Sequence, residues 1–159
     1  MTPILAFYLG TGANDEGVTF QDMLEADDTD LEHSHTFIQW LFPLPERSHM
    51  QPSAPVLTAE DEVEFITNEE LRKRLLQALD LMVGFYERTA FWTRAHDHNH
   101  LRITRIIRSL TLLGLPEKAK EFHDWVQKTA PERIPGRTRW YWSEALNRHP
   151  AWLAQGSAS

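Results

Sequence analysis

Apolar residues recur at helical spacing along most of the chain, and that period predicts the elements. Leu71, Leu75, Ala78, Leu79, Met82 and Tyr86 form the stripe of an amphipathic helix from Asn68 to about Arg88. Asn68 is its expected cap. Glu69–Lys73 and Glu70–Arg74 stand at i,i+4 in the favourable order. Ile103, Ile106, Ile107, Leu110 and Leu113 predict a second helix, closed by Gly114 in a left-handed C-terminal position. Pro116 opens a third, to about Thr129, with Ala119, Phe122, Trp125 and Val126 inward. A fourth is expected from Thr138 to Asn147, carrying Trp140, Tyr141, Trp142, Ala145 and Leu146. Thr19 and Thr58, each with an Asp three positions on, are expected to cap helices over Phe20–Glu25 and onward to Thr67. Ile4–Tyr8 reads as a short strand or the start of a docked helix, and Gly10 to Gly17 as a loop.

The densest apolar run is Leu31 to Leu44. Five of the six residues from Phe37 to Phe42 are large and apolar, with Gln39 the interruption. Read as one helix stopped by Pro43, it places Leu31, His35, Ile38 and Phe42 on a buried stripe. His35 is then expected to be a hydrogen-bonded core histidine with Gln39 one turn on. Asp27, Asp28 and Asp30 suit the positive end of that helix. They do not make a calcium loop, because Glu32 and Ile38 occupy the places of the required Gly and Glu. Pro43 to Pro55 is expected to run extended over the surface.

Composition bounds the function more than it identifies it. At 159 residues with 42% hydrophobic content, one domain with a proper core is the natural reading. The expectation is all-α: a single-domain, irregular bundle of about six to eight helices over residues 1–150, with 151–159 as a flexible tail. Absent cysteine excludes disulfides, cysteine metal sites and thiol nucleophiles, and fits a reducing, cytoplasmic setting. Met1–Gly10 has no basic n-region and is a poor signal peptide. No apolar run reaches the roughly 18 residues of a membrane span. Net charge is −7, but residues 1–70 hold fifteen Asp and Glu against Arg47 alone, and residues 71–159 hold fifteen Lys and Arg against eight acids. A pI near 5.6 fits nucleic acid poorly.

Candidate chemistry concentrates before the Ile103 helix. His96, His98 and His100 alternate, so extended backbone would set them on one face, and a helix would pair His96 with His100 at zinc-pair spacing. No Glu completes the His-Glu-x-x-His pattern, and Asp97 or Asn99 reads as a helix cap, so no metal or other cofactor is expected. Arg102 and Arg105 share a helical face, either solvated, ion-paired with the acidic first half, or forming an anion site with His98, Asn99 and His100 at the helix start. No Gly-x-Ser-x-Gly is present. The ligand-binding candidates are therefore His35, Gln39, His98, Asn99, His100, Arg102 and Arg105.

Leu31-Glu32-His33-Ser34-His35-Thr36-Phe37-Ile38-Gln39-Trp40-Leu41-Phe42-Pro43-Leu44 resembles the hallmark of the opioid growth factor receptor conserved domain. So do Ala54–Thr58, Leu81–Tyr86, Phe7–Gly10 and the second hallmark, Asn99–Leu110. The resemblance covers roughly residues 5–147. It implies an α-helical domain with no known catalytic residues. In vertebrates the family is named for binding a growth-inhibitory enkephalin peptide. The repeat region and basic nuclear-localisation cluster of those receptors are not seen in this sequence. The resulting expectation is a non-enzymatic module binding a peptide or small anionic ligand. The alternative is an enzyme, metal-dependent or acting on a phosphorylated ligand, using the His96–His100 loop and Arg102/Arg105.

Overall fold

Side-chain caps set where the first helices begin. Thr2 accepts the amide of Leu5 and starts α1, Pro3–Tyr8, which settles that segment as a helix. Thr19 and Asp22 form a reciprocal capping box on α2, Phe20–Leu24, and Thr58 and Asp61 form another on α5, Ala59–Thr67. Asp27 caps α3, Asp28–His33, and Asn68 caps α6, Glu69–Arg88. All six apolar residues expected on the inner face of α6 are buried, with Phe85 beside them. Glu70 and Arg74 form their i,i+4 pair at 3.1 Å. The structure, a computed structural model, describes residues 1–156. Residues 157–159, the end of the expected tail, lie outside the described residues, and Ala151–Gly156 forms the helix α10.

The single helix expected from Leu31 to Phe42 is instead two. α3 ends at His33, and α4 spans only Ile38–Leu41. Ser34 is extended (φ −74, ψ 136), and its hydroxyl accepts the Thr36 amide at 3.5 Å. A serine that bonds nearby backbone in this way competes with the helix ladder. His35 is consequently exposed, not a core histidine, and does not stand one helical turn from the buried Gln39.

The chain divides into two compact units, one from Met1 to Thr89 and one from Ala90 onward. In the first, Phe7, Tyr8, Phe20, Trp40 and Phe65 form an aromatic core, with Phe7–Trp40 centroids 5.2 Å apart and Tyr8–Phe65 4.9 Å apart. Such pairs contribute about 0.5–1.5 kcal/mol each beyond area burial. Tyr8 donates its hydroxyl to the Leu41 carbonyl, tying α1 to α4. Within the Pro43–Pro55 stretch and just after it, Leu44, Ala54 and Leu57 are buried, and Leu57 N–H bonds Leu44 carbonyl at 2.9 Å.

The second unit is built on α7, Asn99–Leu112, flanked by α8, Pro116–Thr129, and α9, Gly136–Glu144. A 3-10 turn at Phe91–Thr93 precedes them. Gly114 has φ +90, and the Leu115 amide reaches back to the Leu110 carbonyl at 3.0 Å, the expected left-handed close. Arg139 holds the far end of α8, donating to the carbonyls of Gln127, Ala130 and Pro131 at 2.8–3.1 Å. A guanidinium there satisfies open carbonyls at the negative end of the helix dipole. No strand occurs among the described residues, and the all-α class expected from the periodicity holds. The ten α-helices among the described residues exceed the expected number because the Leu31–Phe42 run splits and short end segments close into helices.

Candidate functional site

At the start of α7 the predicted residues fall into place differently from a solvated anion site. The Asp97 side chain, only 6% exposed, accepts the Asn99 amide at 3.0 Å and the Asn99 side-chain amide at 2.8 Å. A carboxylate thus already sits where an anion at this helix start would go. His98 takes helical dihedrals (φ −62, ψ −23), so the extended alternation of three histidines does not form. His96 lies before the helix and is exposed, so it has no i,i+4 relation to His100. His100 is buried. Its Nε2 is 2.8 Å from the Trp92 carbonyl, its own carbonyl accepts Trp142 Nε1–H at 3.1 Å, and its ring meets Trp142 edge-on. Arg102 is buried with Arg108, and Arg105 is half-buried, so Arg102 is not part of a solvated arginine face. His35 and Gln39 belong to the first unit, and the other five candidates to the second.

His100 borders a cleft of about 410 Å³ in the second unit, lined also by His96, Leu101, Arg137, Thr138 and Tyr141. α9 begins there behind Pro135 with no side-chain cap. The Arg137 guanidinium lies 5.8 Å from the Tyr141 ring centroid. Arg137, the exposed His96 imidazole and an uncapped helix start over an apolar wall favour a small anionic group, and the Asp97 carboxylate, which also lines the cleft, opposes one.

One polar cluster has no counterpart among the sequence expectations. Ser143 Oγ lies 2.9 Å from His123 Nε2, and Asp124 Oδ1 lies 2.8 Å from His123 Nδ1. These are the distances of a Ser-His-Asp relay, but the surroundings differ from a hydrolase. Ser143 is in the last turn of α9, where a helix presents carbonyls rather than free amides, and the Ala145 amide is committed to the Tyr141 carbonyl. Asp124 is exposed and ion-paired with Lys120 at 2.6 Å, and the Lys120 and His123 contacts hold its carboxyl below the usual range. Gln127 Nε2 joins the cluster and donates to the Arg139 carbonyl at 3.0 Å. The cluster is a polar clasp between α8 and α9. The only sequence signal was His123 within the Ala119–Val126 stripe.

The larger cleft, about 560 Å³, is in the first unit. The break between α3 and α4 forms one wall through Ser34, Thr36 and Phe37, and α2, α3 and the 14–18 loop form the others. Asn14 fixes that loop: its Oδ1 accepts the amides of Glu16 and Val18, each at 2.9 Å, and Gly17 turns at φ +79. Met23, Leu31 and Phe37 floor the cleft, and Glu16, Asp22, Glu25 and Asp30 rim it. A neighbouring hollow of about 130 Å³ shares Asn14, Glu16 and Thr36 and is bordered by Gln39. The sequence presented Asp22 and Asp30 only as acids at helix starts and offered no groove for Glu16 or Glu25, because the cleft exists only once the Leu31–Phe42 run has split.

Relatives place the first unit in a known family. The family model described as the opioid growth factor receptor (OGFr) conserved region matches residues 2–91. Mouse opioid growth factor receptor is 39% identical over 120 residues, covering 62% of this chain and 19% of that protein. The human opioid growth factor receptor is 38% identical over 136 residues, covering 72% of this chain and 20% of its own length. The Xenopus tropicalis opioid growth factor receptor-like protein 1 is 35% identical over 119 residues, covering 62% and 23%. The chain therefore spans about a fifth to a quarter of the curated relatives it matches. No solved structure matches it significantly. No helix among the described residues is long and apolar enough to cross a membrane. With more than half of its residues matched by the family model, the chain belongs to the opioid growth factor receptor conserved-region family.

Proposed function

We propose that this chain is a non-enzymatic binding module whose ligand is a short peptide. The observation that carries this reading is the preformed 560 Å³ cleft of the first unit, within the range of ligand pockets, in the segment that the family model matches. The relatives named as receptors for a growth factor support the same direction. The enzyme alternative is not favoured: His96 lies outside α7, and His100 is fixed in the interior by Trp92 and Trp142.

A small anionic ligand is the second reading, supported by Arg137 and His96 at the cleft of the second unit. Thermal melts of the full chain against short synthetic peptides of cationic, neutral and anionic sequence, and against inorganic phosphate, test both. A ligand present at one hundred times its Kd stabilises by about 2.7 kcal/mol. A peptide that raises the melt supports the first reading. A shift with phosphate that Arg137→Gln abolishes supports the second. No shift with any peptide or with phosphate contradicts the binding-module account.

A further inference from the structure

The first unit's cleft carries more information than its size. Its floor is apolar, with Val18, Met23, Ala26, Leu31 and Phe37 beneath the opening. Its rim is of one sign. Glu16, Asp22, Glu25 and Asp30 line it, no Lys or Arg does, and His33 is the one basic side chain present. The nearby Asp28 is neutralised by a bidentate contact with Arg88, at 2.9 and 3.1 Å. None of the four rim carboxylates makes an ion pair among the described residues. They meet only uncharged groups: Glu16 accepts from Thr36, Asp22 closes the Thr19 capping box, and Glu25 accepts from Gln21. The unit around them is strongly acidic, with seventeen Asp and Glu against five Lys and Arg from Met1 to Thr89.

An apolar groove rimmed by uncompensated carboxylates is complementary to a segment with an apolar anchor between cationic side chains. The apolar side chain supplies burial, and Lys or Arg on either side relieves the mutual repulsion of the rim. The same field disfavours an anionic ligand in this cleft. We infer that the occupant of this cleft is a basic peptide segment of a partner protein, with Lys or Arg flanking an apolar residue that sits over Met23, Leu31 and Phe37. This rests on the peptide reading above and specifies the peptide's chemistry and its seat.

Fluorescence anisotropy with labelled peptides on the full chain tests it. The probes are a Lys/Arg peptide with a central Leu pair, the same peptide with Leu replaced by Ser, and Glu and Gln counterparts that keep Leu. The Lys/Arg–Leu peptide is expected to bind tightest and to lose roughly tenfold or more in affinity from low to 0.5 M salt. The triple variant Glu16→Gln, Glu25→Gln, Asp30→Asn is expected to weaken it at least tenfold with an unchanged circular-dichroism spectrum. A control, Glu69→Gln, Asp80→Asn, Glu87→Gln, removes the same charge from exposed positions of α6 and is expected to leave binding within about twofold. The double reversal Glu16→Lys, Glu25→Lys is expected to shift preference toward the Glu–Leu peptide, a gain that misfolding cannot mimic. Equal weakening by the control, or equal binding without Leu, would reduce the effect to bulk charge and overturn the inference. Tight binding of the Gln–Leu or Glu–Leu peptide by the wild type, with none of the basic one, would overturn it and leave the peptide reading standing. No binding of any peptide removes both.

Discussion

Tyr8 joins two elements that the sequence presents far apart. It is fully buried, packs on Phe20 and Phe65, and donates to the Leu41 carbonyl. Tyr8→Phe keeps the ring but orphans that buried carbonyl, at a cost of about 1–3 kcal/mol in urea denaturation. Burial pushes the phenol well above its ordinary value. A raised folded pKa means that stability is fully present below the unfolded value, about 10, and is lost as pH rises toward the folded one. The urea midpoint of the wild type should therefore fall above about pH 10, and Tyr8→Phe should flatten that fall. An identical alkaline slope in both proteins would assign it elsewhere. Other residues were less legible. His35 was expected inside and is exposed, and Arg102, expected on a solvated or ion-paired face or in an anion site, is buried. Spacing on an assumed helix gives the wrong face wherever the helix does not exist or a tertiary neighbour covers its polar side.

Where period, cap and stop signal agreed, the elements could be read directly. α6 and α7 have long apolar stripes, and α8 has Pro116 at its start. α2 and α5 have capping boxes at the expected positions. The Leu31–Phe42 run had apolar bulk but an internal Ser-His-Thr that can either continue a helix or turn it. The turn wins because Ser34 bonds locally and the two sides pack differently: α4 lies against α1, and α3 borders the cleft. α4 remains core despite its four residues, with Leu41 fully buried and Ile38 4% exposed. Leu41→Ala and Ile38→Ala should each cost about 2–5 kcal/mol, the range of core truncations. Denaturant midpoints unchanged from wild type would show that α4 does not hold the first unit together.

Across the whole chain the family match and the fold agree on a boundary. The matched residues, 2–91, coincide with the first compact unit, Met1–Thr89. The human alignment covers 72% of the chain, more than the family match spans, so the likeness continues beyond it. Depressed carboxylates occur in both units. Thr19 hydrogen bonds lower Asp22, Arg88 lowers Asp28, and Lys120 and His123 lower Asp124. Groups of this kind add stability above the unfolded carboxylate range that is lost as pH falls through their lowered folded values. The urea midpoint should accordingly drop below about pH 4. Asp28→Asn should remove only a small part of that drop, since its partner is exposed.

The most direct measurement is a ¹⁵N NMR titration of the full chain with the basic, Leu-containing peptide at low salt. The account predicts saturable shifts confined to the 14–18 loop, α2, α3 and Ser34–Phe37, with His96–Thr104 and the start of α9 unmoved. Shifts centred instead on His96, His100 and Arg137, or none at saturating peptide, would contradict it.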